Sequence, residues 1–571
     1  MMWGPQILAP DRTRFALWAP GLDQLMLEIE GAEPLAMTAG ADGWFSVEAP
    51  YGAGACYRFR LPDGTAVPDP ASRAQDGDVH GWSIVVDSGD FRWHSQWSGR
   101  PWREAVIQEC HAGVAGGFAG LIQHLSELAA TGFTALELMP VAAFGGTCNW
   151  GYDGVLPYAP ASAYGTPDDL RTLVDAAHNS GLMVLLDVVY NHFGPDGNYL
   201  SAYAPDFFKA DADTPWGGAI DFDKEPVARF FIDNALYWLR EFRFDGLRFD
   251  AVHAIGDNDF LDRMAGEIRA ALPGRHIHLV LENEHNDAAR LERDYDAQWN
   301  DDFHNVLHVL LTDETHGYYR DFAEAPAQRL ARCLAEGFIY QGEGSPNQNN
   351  KPRGSSSGHL SPPHFVSFLQ NHDQIGNRAK GERLTVLTSV EKLRAATGLL
   401  LLSPQIPLAF MGDAAGSRAP FLFFTDFHDE LADAVREGRR GEFKSFPGFS
   451  DPEARASIPD PNARDTFDQS RPLPGPDAEE WRALYTRLLA IRHERIVPHL
   501  DDCRSAGAEA IGDKAVVARW QLGDAMLTLA INLGEEAVPL TQPQGERIAE
   551  IGMADAQGTL PPASFAAWIG A

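Results

Sequence analysis

From about residue 105 to residue 497, short apolar runs alternate with stretches of helical periodicity, and this alternation constrains the fold more than any other feature of the chain. Val106–Cys110, Ala135–Val141, Met183–Val189, Gly246–Asp250, Ile277–Glu282, Phe338–Gln341, Phe365–Leu369 and Pro407–Met411 read as eight strands. Between them, Phe118–Ala130, Pro167–Ser180, Arg229–Phe242 and Asp259–Ala271 carry apolar residues at helical spacing. Strands separated by helices run parallel, because each helix carries the chain back to the end of the sheet where the strand began. Eight such units predict an α/β protein built on a closed (β/α)8 TIM barrel with insertions. An open doubly wound sheet is the alternative, and no GxGxxG or GxxxxGK(S/T) segment supports nucleotide binding on one.

Both flanks read differently. Phe15–Trp18, Leu25–Ile29, Gly43–Val47 and Tyr57–Leu61 are short strand-like runs, divided by the turn signals Ala19-Pro20-Gly21, Ala41-Asp42-Gly43 and Pro62-Asp63-Gly64. That spacing predicts an N-terminal β-sandwich module. After Pro498, Ala515–Leu522, Ala525–Ile531 and Phe565–Ile569 predict a small C-terminal β domain. The expected division is therefore 1–95, 96–497 and 498–571. Tyr340–Leu360, rich in Gln, Asn, Gly and Ser, is expected to be a barrel loop near the active face.

With 46 Lys and Arg against 80 Asp and Glu, the net charge is −34, which argues against nucleic acid or an anionic membrane as a partner. The five cysteines, Cys56, Cys110, Cys148, Cys333 and Cys503, form no CxxC pair, so neither a disulfide framework nor a cysteine zinc site is expected. No basic segment followed by an apolar one opens the sequence. A cytoplasmic protein with no cofactor and no required metal is the expectation.

If the barrel closes, chemistry belongs at the C-terminal ends of its strands. Four of those ends carry acids: Asp187 in Leu185–His192, Asp250 in Gly246–His253, Glu282 in Leu279–Glu284 and Asp373 in Phe368–Asp373. Residues i and i+2 share a face of a strand, so Arg248 and Asp250 point the same way. A cation that close keeps a carboxylate ionised, as a covalent glycosidase requires of its nucleophile. Glu282, leaving an apolar strand among other acids, should instead hold its proton and donate it to a leaving oxygen. Asp373 is then a third acid, placed to bind sugar hydroxyls and stabilise a cationic transition state. Strand parity leaves Glu284 open as the alternative to Glu282.

Asp187–His192, Gly246–His253, Glu282 and Phe368–Asp373 resemble, in order, the four signature regions of glycoside hydrolase family 13, the α-amylase family. The resemblance implies that Asp250 is the nucleophile, Glu282 the acid/base, Asp373 the transition-state stabiliser and Arg248 the partner of the nucleophile. It implies that His192 and His372 bind the sugar in the −1 subsite, that Tyr152 is the platform beneath it, and that His253 lies on the +1/+2 side. The same motifs make Phe249, Ala251, Val252, Asn371 and Gln374 candidates for substrate contact. Asn149–Tyr164, Asp187–Pro195, Gln298–His304, Phe368–Arg378 and Phe424–Phe443 are similar to one subgroup, which cleaves the α-1,4 bond next to the terminal trehalose of maltooligosyltrehalose. By that similarity Asp301, Asp302, Phe303 and His304, in a loop expected after the fifth strand, contact substrate. The partner implied is this oligosaccharide, in functional pairing with a maltooligosyltrehalose synthase. A branching enzyme or another transferase of the family would share every catalytic acid.

Overall fold

A computed structural model describes residues 3–214, 217–256, 258–446, 448–553 and 558–570. Its centre is a closed barrel of eight parallel strands: β1 (Ile107–Cys110), β2 (Ala135–Leu138), β3 (Met183–Val188), β4 (Gly246–Phe249), β5 (His278–Leu281), β6 (Ala297–Trp299), β7 (Phe365–Phe368) and β8 (Ile406–Phe410). Closure is completed by β1 pairing with β8, Ile107 opposite Leu408. The period of two along each strand sorts the side chains. Ile107, Ala135, Met183, Leu185, Val280, Ala297, Val366, Phe368, Ile406 and Leu408 pack together as an interior cluster. Residues of the other parity, such as Leu136, Leu186, Leu247 and Phe249, join the much larger core between barrel and helices.

Seven of the eight expected strands form, and one correction concerns the sixth. Phe338–Gln341, buried as far as Tyr340, makes no ladder, because the backbone N–H groups of Ile339 and Tyr340 donate to the Asp302 carboxylate at 2.7 and 3.2 Å. The sixth strand is Ala297–Trp299, only three residues long and centred on Gln298. A buried Gln is tolerated there because its amide donates to the Asn283 carbonyl at 3.1 Å. Asp301–His304 consequently do not lie in a loop after the fifth strand; they open the helix Asp301–Thr312 after β6. The single helix expected over Phe118–Ala130 is two, Gly117–Ile122 and Leu125–Thr131.

N-terminal to the barrel, Arg12–Trp18 and Trp44–Ala49 lie at the middle of one antiparallel sheet, and Met26–Ile29 and Cys56–Arg60 belong to a second. Trp3 joins this module to the barrel, packing edge-on against Phe207 and Phe230 and donating its indole N–H to the Pro226 carbonyl at 3.0 Å. His80 reaches the loop after β3, where its ring nitrogens lie 2.8 Å from the Tyr199 hydroxyl and 3.1 Å from Asp196. At the other end, Arg504–Gly512, Ala515–Leu522, Ala525–Asn532, Ser564–Gly570 and Glu546–Ile551 form one antiparallel sheet in that order. Among the described residues no helix is long and apolar enough to cross a membrane.

At the base of β4, strand and neighbours meet too closely for a side chain. A Cβ on Gly246 would lie 2.3 Å from the His278 carbonyl oxygen and 2.7 Å from Leu185 Cδ2. Since a backbone atom cannot step aside as a flexible side chain can, Gly246→Ala is expected to cost about 2–3 kcal/mol through overpacking. Thermal unfolding checks this, and an unchanged midpoint would contradict it.

Candidate active site

The interior rows of the barrel start apolar and end charged. Glu109 on β1, Glu137 on β2, Asp187 on β3 and Arg248 on β4 are each at most 2% exposed. Glu109 stands opposite Glu137 in the ladder, and Asp187 opposite Arg248. Four buried ionisable side chains in one layer require compensation, and Arg248 supplies most of it. Its Nη1 donates to both Asp187 oxygens at 3.0 and 2.8 Å and to Asp250 Oδ1 at 2.8 Å. Nη2 lies 3.8 Å from Glu282 Oε2, and the guanidinium carbon stands 4.0 Å from the Trp299 ring centroid. Burial opposes the charge on Arg248, but Asp187, Glu282 and Asp250 outweigh it and hold its pKa well above the usual value.

Asp250 follows directly on β4, and the chain then turns sharply. Ala251 takes a left-handed conformation with φ of 40°, which directs its N–H to Glu282 Oε2 at 2.5 Å. Two backbone bonds tie the same segments together, Glu282 N–H to the Phe249 carbonyl and Val252 N–H to the Glu282 carbonyl, both at 3.0 Å. The two acids therefore face one guanidinium from adjacent strand ends. Burial pushes the Glu282 carboxyl up; Arg248 pulls against this, and Asp250 pushes the same way. Glu284 stands elsewhere: its side chain is 56% exposed, 3.7 Å from His253 Nε2 and accepting from Gln348 Nε2 at 3.1 Å.

Asp373 lies in the first turn of the helix His372–Gly376, which Asn371 caps by accepting the Asp373 N–H at 2.9 Å. Its carboxyl opens to the cleft, and the enclosing walls push its pKa up against the pull of His372 and Arg248. Asp301 is pushed up as well, by burial and by the charges of Glu282 and Asp373. Tyr152 donates to Asp187 Oδ2 at 2.7 Å, and its ring stacks on the His372 imidazole with centroids 5.0 Å apart. His192 donates from Nε2 to the Tyr152 carbonyl at 3.0 Å, and burial lowers its pKa, so the ring stays neutral. Among the described residues no three His, Cys, Asp or Glu side chains are grouped as a metal site requires.

A family model for the alpha amylase catalytic domain matches residues 71–216, and one described as a domain of unknown function, DUF3459, matches residues 503–567. The chain is 39% identical over 540 residues to the malto-oligosyltrehalose trehalohydrolase of Deinococcus radiodurans, an alignment covering 92% of this chain and 88% of that protein. The chain belongs to the malto-oligosyltrehalose trehalohydrolase family. The trehalohydrolase of Saccharolobus solfataricus is likewise 39% identical, over 85% of this chain and 86% of its own. A 1.4 Å crystal structure of a Salmonella typhimurium protein, provisionally described as an alpha amylase, is 44% identical and superposes with a TM-score of 0.95, covering 100% of this chain and 99% of that one. The trehalohydrolase family is thus an α-amylase-type glycoside hydrolase family built on the barrel described above.

On this trehalohydrolase fold the structure gathers Asp250, Glu282, Asp373, Arg248, Tyr152, His192, His253, Asp301 and His372 around one cleft. The other candidates for substrate contact need correction. Phe249 has the outward parity of β4 and packs between Tyr190 and Tyr295. Val252 and Phe303 are core side chains, and Ala251 contributes its backbone N–H to Glu282. Asp302, fully buried, binds Asn286, the backbone of Ile339 and Tyr340, and Arg353. His304 donates Nδ1–H to the Leu369 carbonyl, and burial lowers its pKa to about 3. Asn371 Oδ1 and Gln374 Oε1 form the helix cap, while Asn371 Nδ2 is buried with no hydrogen-bond partner among the described residues. Sequence reasoning missed Glu109 and Trp299; an acid inside the apolar run Val106–Cys110 was the available signal for Glu109.

Tyr152→Phe separates the two roles of that residue. The ring would still stack on His372, while buried Asp187 would lose one of its donors at a cost of about 1–2 kcal/mol. The expected outcome is a kcat roughly tenfold lower with KM little changed. Steady-state kinetics on the wild-type substrate measure it; a normal kcat would show that the hydroxyl is dispensable.

Proposed function

We propose that this chain hydrolyses, with retention, the α-1,4 bond next to the terminal trehalose of maltooligosyltrehalose and releases free trehalose. The observation that carries the reading is the shared guanidinium: Arg248 touches Asp250 at 2.8 Å and lies 3.8 Å from Glu282, so two carboxyls flank one space. The names of the relatives support the substrate. Asp250 attacks the anomeric carbon, the bond to the bridging oxygen breaks, and Glu282 delivers its proton to that oxygen as trehalose leaves. Water then gives a proton to the Glu282 carboxylate and attacks the glycosyl ester on Asp250, restoring both acids. Asp373 and His372 lie beside the sugar ring, and Tyr152 lies beneath it. His253, Glu284 and Gln348 line the side that receives trehalose.

In this reading residues 96–497 carry catalysis, flanked by modules at 1–95 and 498–571. A maltooligosyltrehalose synthase supplies the substrate, and the cytoplasm is the compartment.

Product analysis is the direct test. Free trehalose from maltooligosyltrehalose is expected, whereas new α-1,6 branches from amylose without trehalose release would replace hydrolysis by glycosyl transfer. Asp250→Asn and Glu282→Gln should each lower kcat by about 10³-fold or more. An α-maltosyl fluoride, whose leaving group needs no proton, should restore ester formation in Glu282→Gln and not in Asp250→Asn. Equal rescue of both variants would overturn the assignment of roles.

The pH dependence follows from the raised pKa of Glu282. The acid must be protonated, so kcat/KM should fall as pH rises through a value above the ordinary carboxylate range. An alkaline limb at or below that ordinary range would exclude Glu282 as the proton donor.

A further inference from the structure

Glu109 lies on β1, 1% exposed and far in sequence from Asp250, Glu282 and Asp373. Its two oxygens grip one residue twice. Oε2 accepts the His372 backbone N–H at 3.0 Å, and Oε1 accepts the His372 ring at Nδ1. The imidazole is held on its faces and edges by Tyr152, stacked at 5.0 Å, and by Trp150, edge-on at 5.6 Å and 90°. Trp150 can lie there because Gly376 has no side chain, a Cβ on Gly376 falling 2.0 Å from the Trp150 ring. With Nδ1 bound to Glu109, the ring has only Nε2 left to offer a sugar hydroxyl.

We infer that Glu109 is a positioning residue for the proposed hydrolysis, fixing the ring orientation of His372 and the helix turn that carries Asp373. The inference rests on the reading given under Proposed function, since it assigns His372 to the sugar. Two bonds to successive parts of one residue restrain both its χ angles and its backbone, which a single contact cannot do. The charge of Glu109 also matters. Burial disfavours an imidazolium at His372, yet the Glu109 carboxylate outweighs burial and raises its pKa. The other groups facing this ring are Asp373 on its own helix, Arg248 on β4, Asp187 on β3, Tyr152 in the loop after β2, and His111 just after β1. Glu137, opposite Glu109, has neither oxygen hydrogen-bonded among the described residues, and burial beside Glu109 and Asp187 pushes its pKa far up. Of the two acids, it is Glu109 that bonds His372.

A double-mutant cycle in the full chain tests this. Glu109→Gln should lower kcat about 10- to 100-fold with a smaller change in KM, but less than about threefold when added to His372→Asn. Equal losses in both backgrounds would overturn the proposal, because Glu109 would then act independently of His372. The titration of the His372 ring, followed by NMR and assigned by its absence in His372→Asn, should fall by about one pH unit or more in Glu109→Gln. An unmoved midpoint would also overturn it. Glu109→Asp, which keeps the charge and withdraws it by one methylene, should move kcat and midpoint the same way by less, and serves if Glu109→Gln does not fold. Rates are read on maltooligosyltrehalose and on p-nitrophenyl α-maltotrioside. Cleavage of the second without trehalose from the first would remove the proposed substrate while the cycle is still scored. The titration needs no substrate.

Discussion

The site depends on one buried cation. Arg248, 2% exposed, meets Asp187, Asp250 and Glu282 on its donor edges and Trp299 on its face. Desolvating a guanidinium and several carboxyls is costly, and truncating one member of such a set leaves charge without compensation, worth roughly 3–5 kcal/mol. The barrel meets that cost at its upper layer only. Below it, Leu185, Val280, Val366, Phe368, Ile406 and Leu408 fill the interior with hydrocarbon, so stability is concentrated under the layer that performs chemistry. An apolar floor also lowers the local dielectric, which strengthens every interaction Arg248 makes.

What was legible in the sequence followed from period and length. Strands such as β3, an uninterrupted apolar run up to Asp187, stand out because both faces are buried. β6 does not, since three residues centred on Gln298 give no run, and the amide is met by the Asn283 carbonyl and Asn286 Oδ1 of a distant loop that no local pattern reveals. Phe338–Gln341 imitates a strand for the converse reason: Phe338, Ile339 and Tyr340 are buried, but their amides and that of Gln341 go to the side chains of Ser357, Asp302 and Glu343. Burial and pairing are separate properties, and hydrophobicity reports only the first.

The candidate site divides along the same line. Asp250, Glu282, Asp373 and Arg248 were visible because strand ends and i, i+2 parity place them together. Phe249 was included by adjacency in a motif, although parity alone turns it outward, where Tyr190 and Tyr295 receive it. Asn371 and Gln374 belong to the motif because they build the cap under Asp373, which is a structural need of the site. The pairing of Glu109 with His372 spans 263 positions and has no local signature. Only the closing of the barrel brings β1 beside the turn after β7.

In the mechanism proposed above, closure also accounts for how the Glu282 carboxyl serves as both acid and base. In the resting site Glu282 is raised by burial and by the charge on Asp250, while Arg248 draws it down. When Asp250 becomes an ester its negative charge is consumed, so one of the two upward pushes vanishes and the pull of Arg248 remains. The proton has meanwhile gone to the leaving oxygen. Glu282 is then a carboxylate stabilised by the Ala251 N–H at 2.5 Å and by the guanidinium, ready to take a proton from the attacking water. Hydrolysis of the ester returns the charge to Asp250 and with it the push that lets Glu282 keep the next proton. The alternation needs no movement of the backbone, because Arg248 bridges both acids from a strand locked on both sides by its ladder.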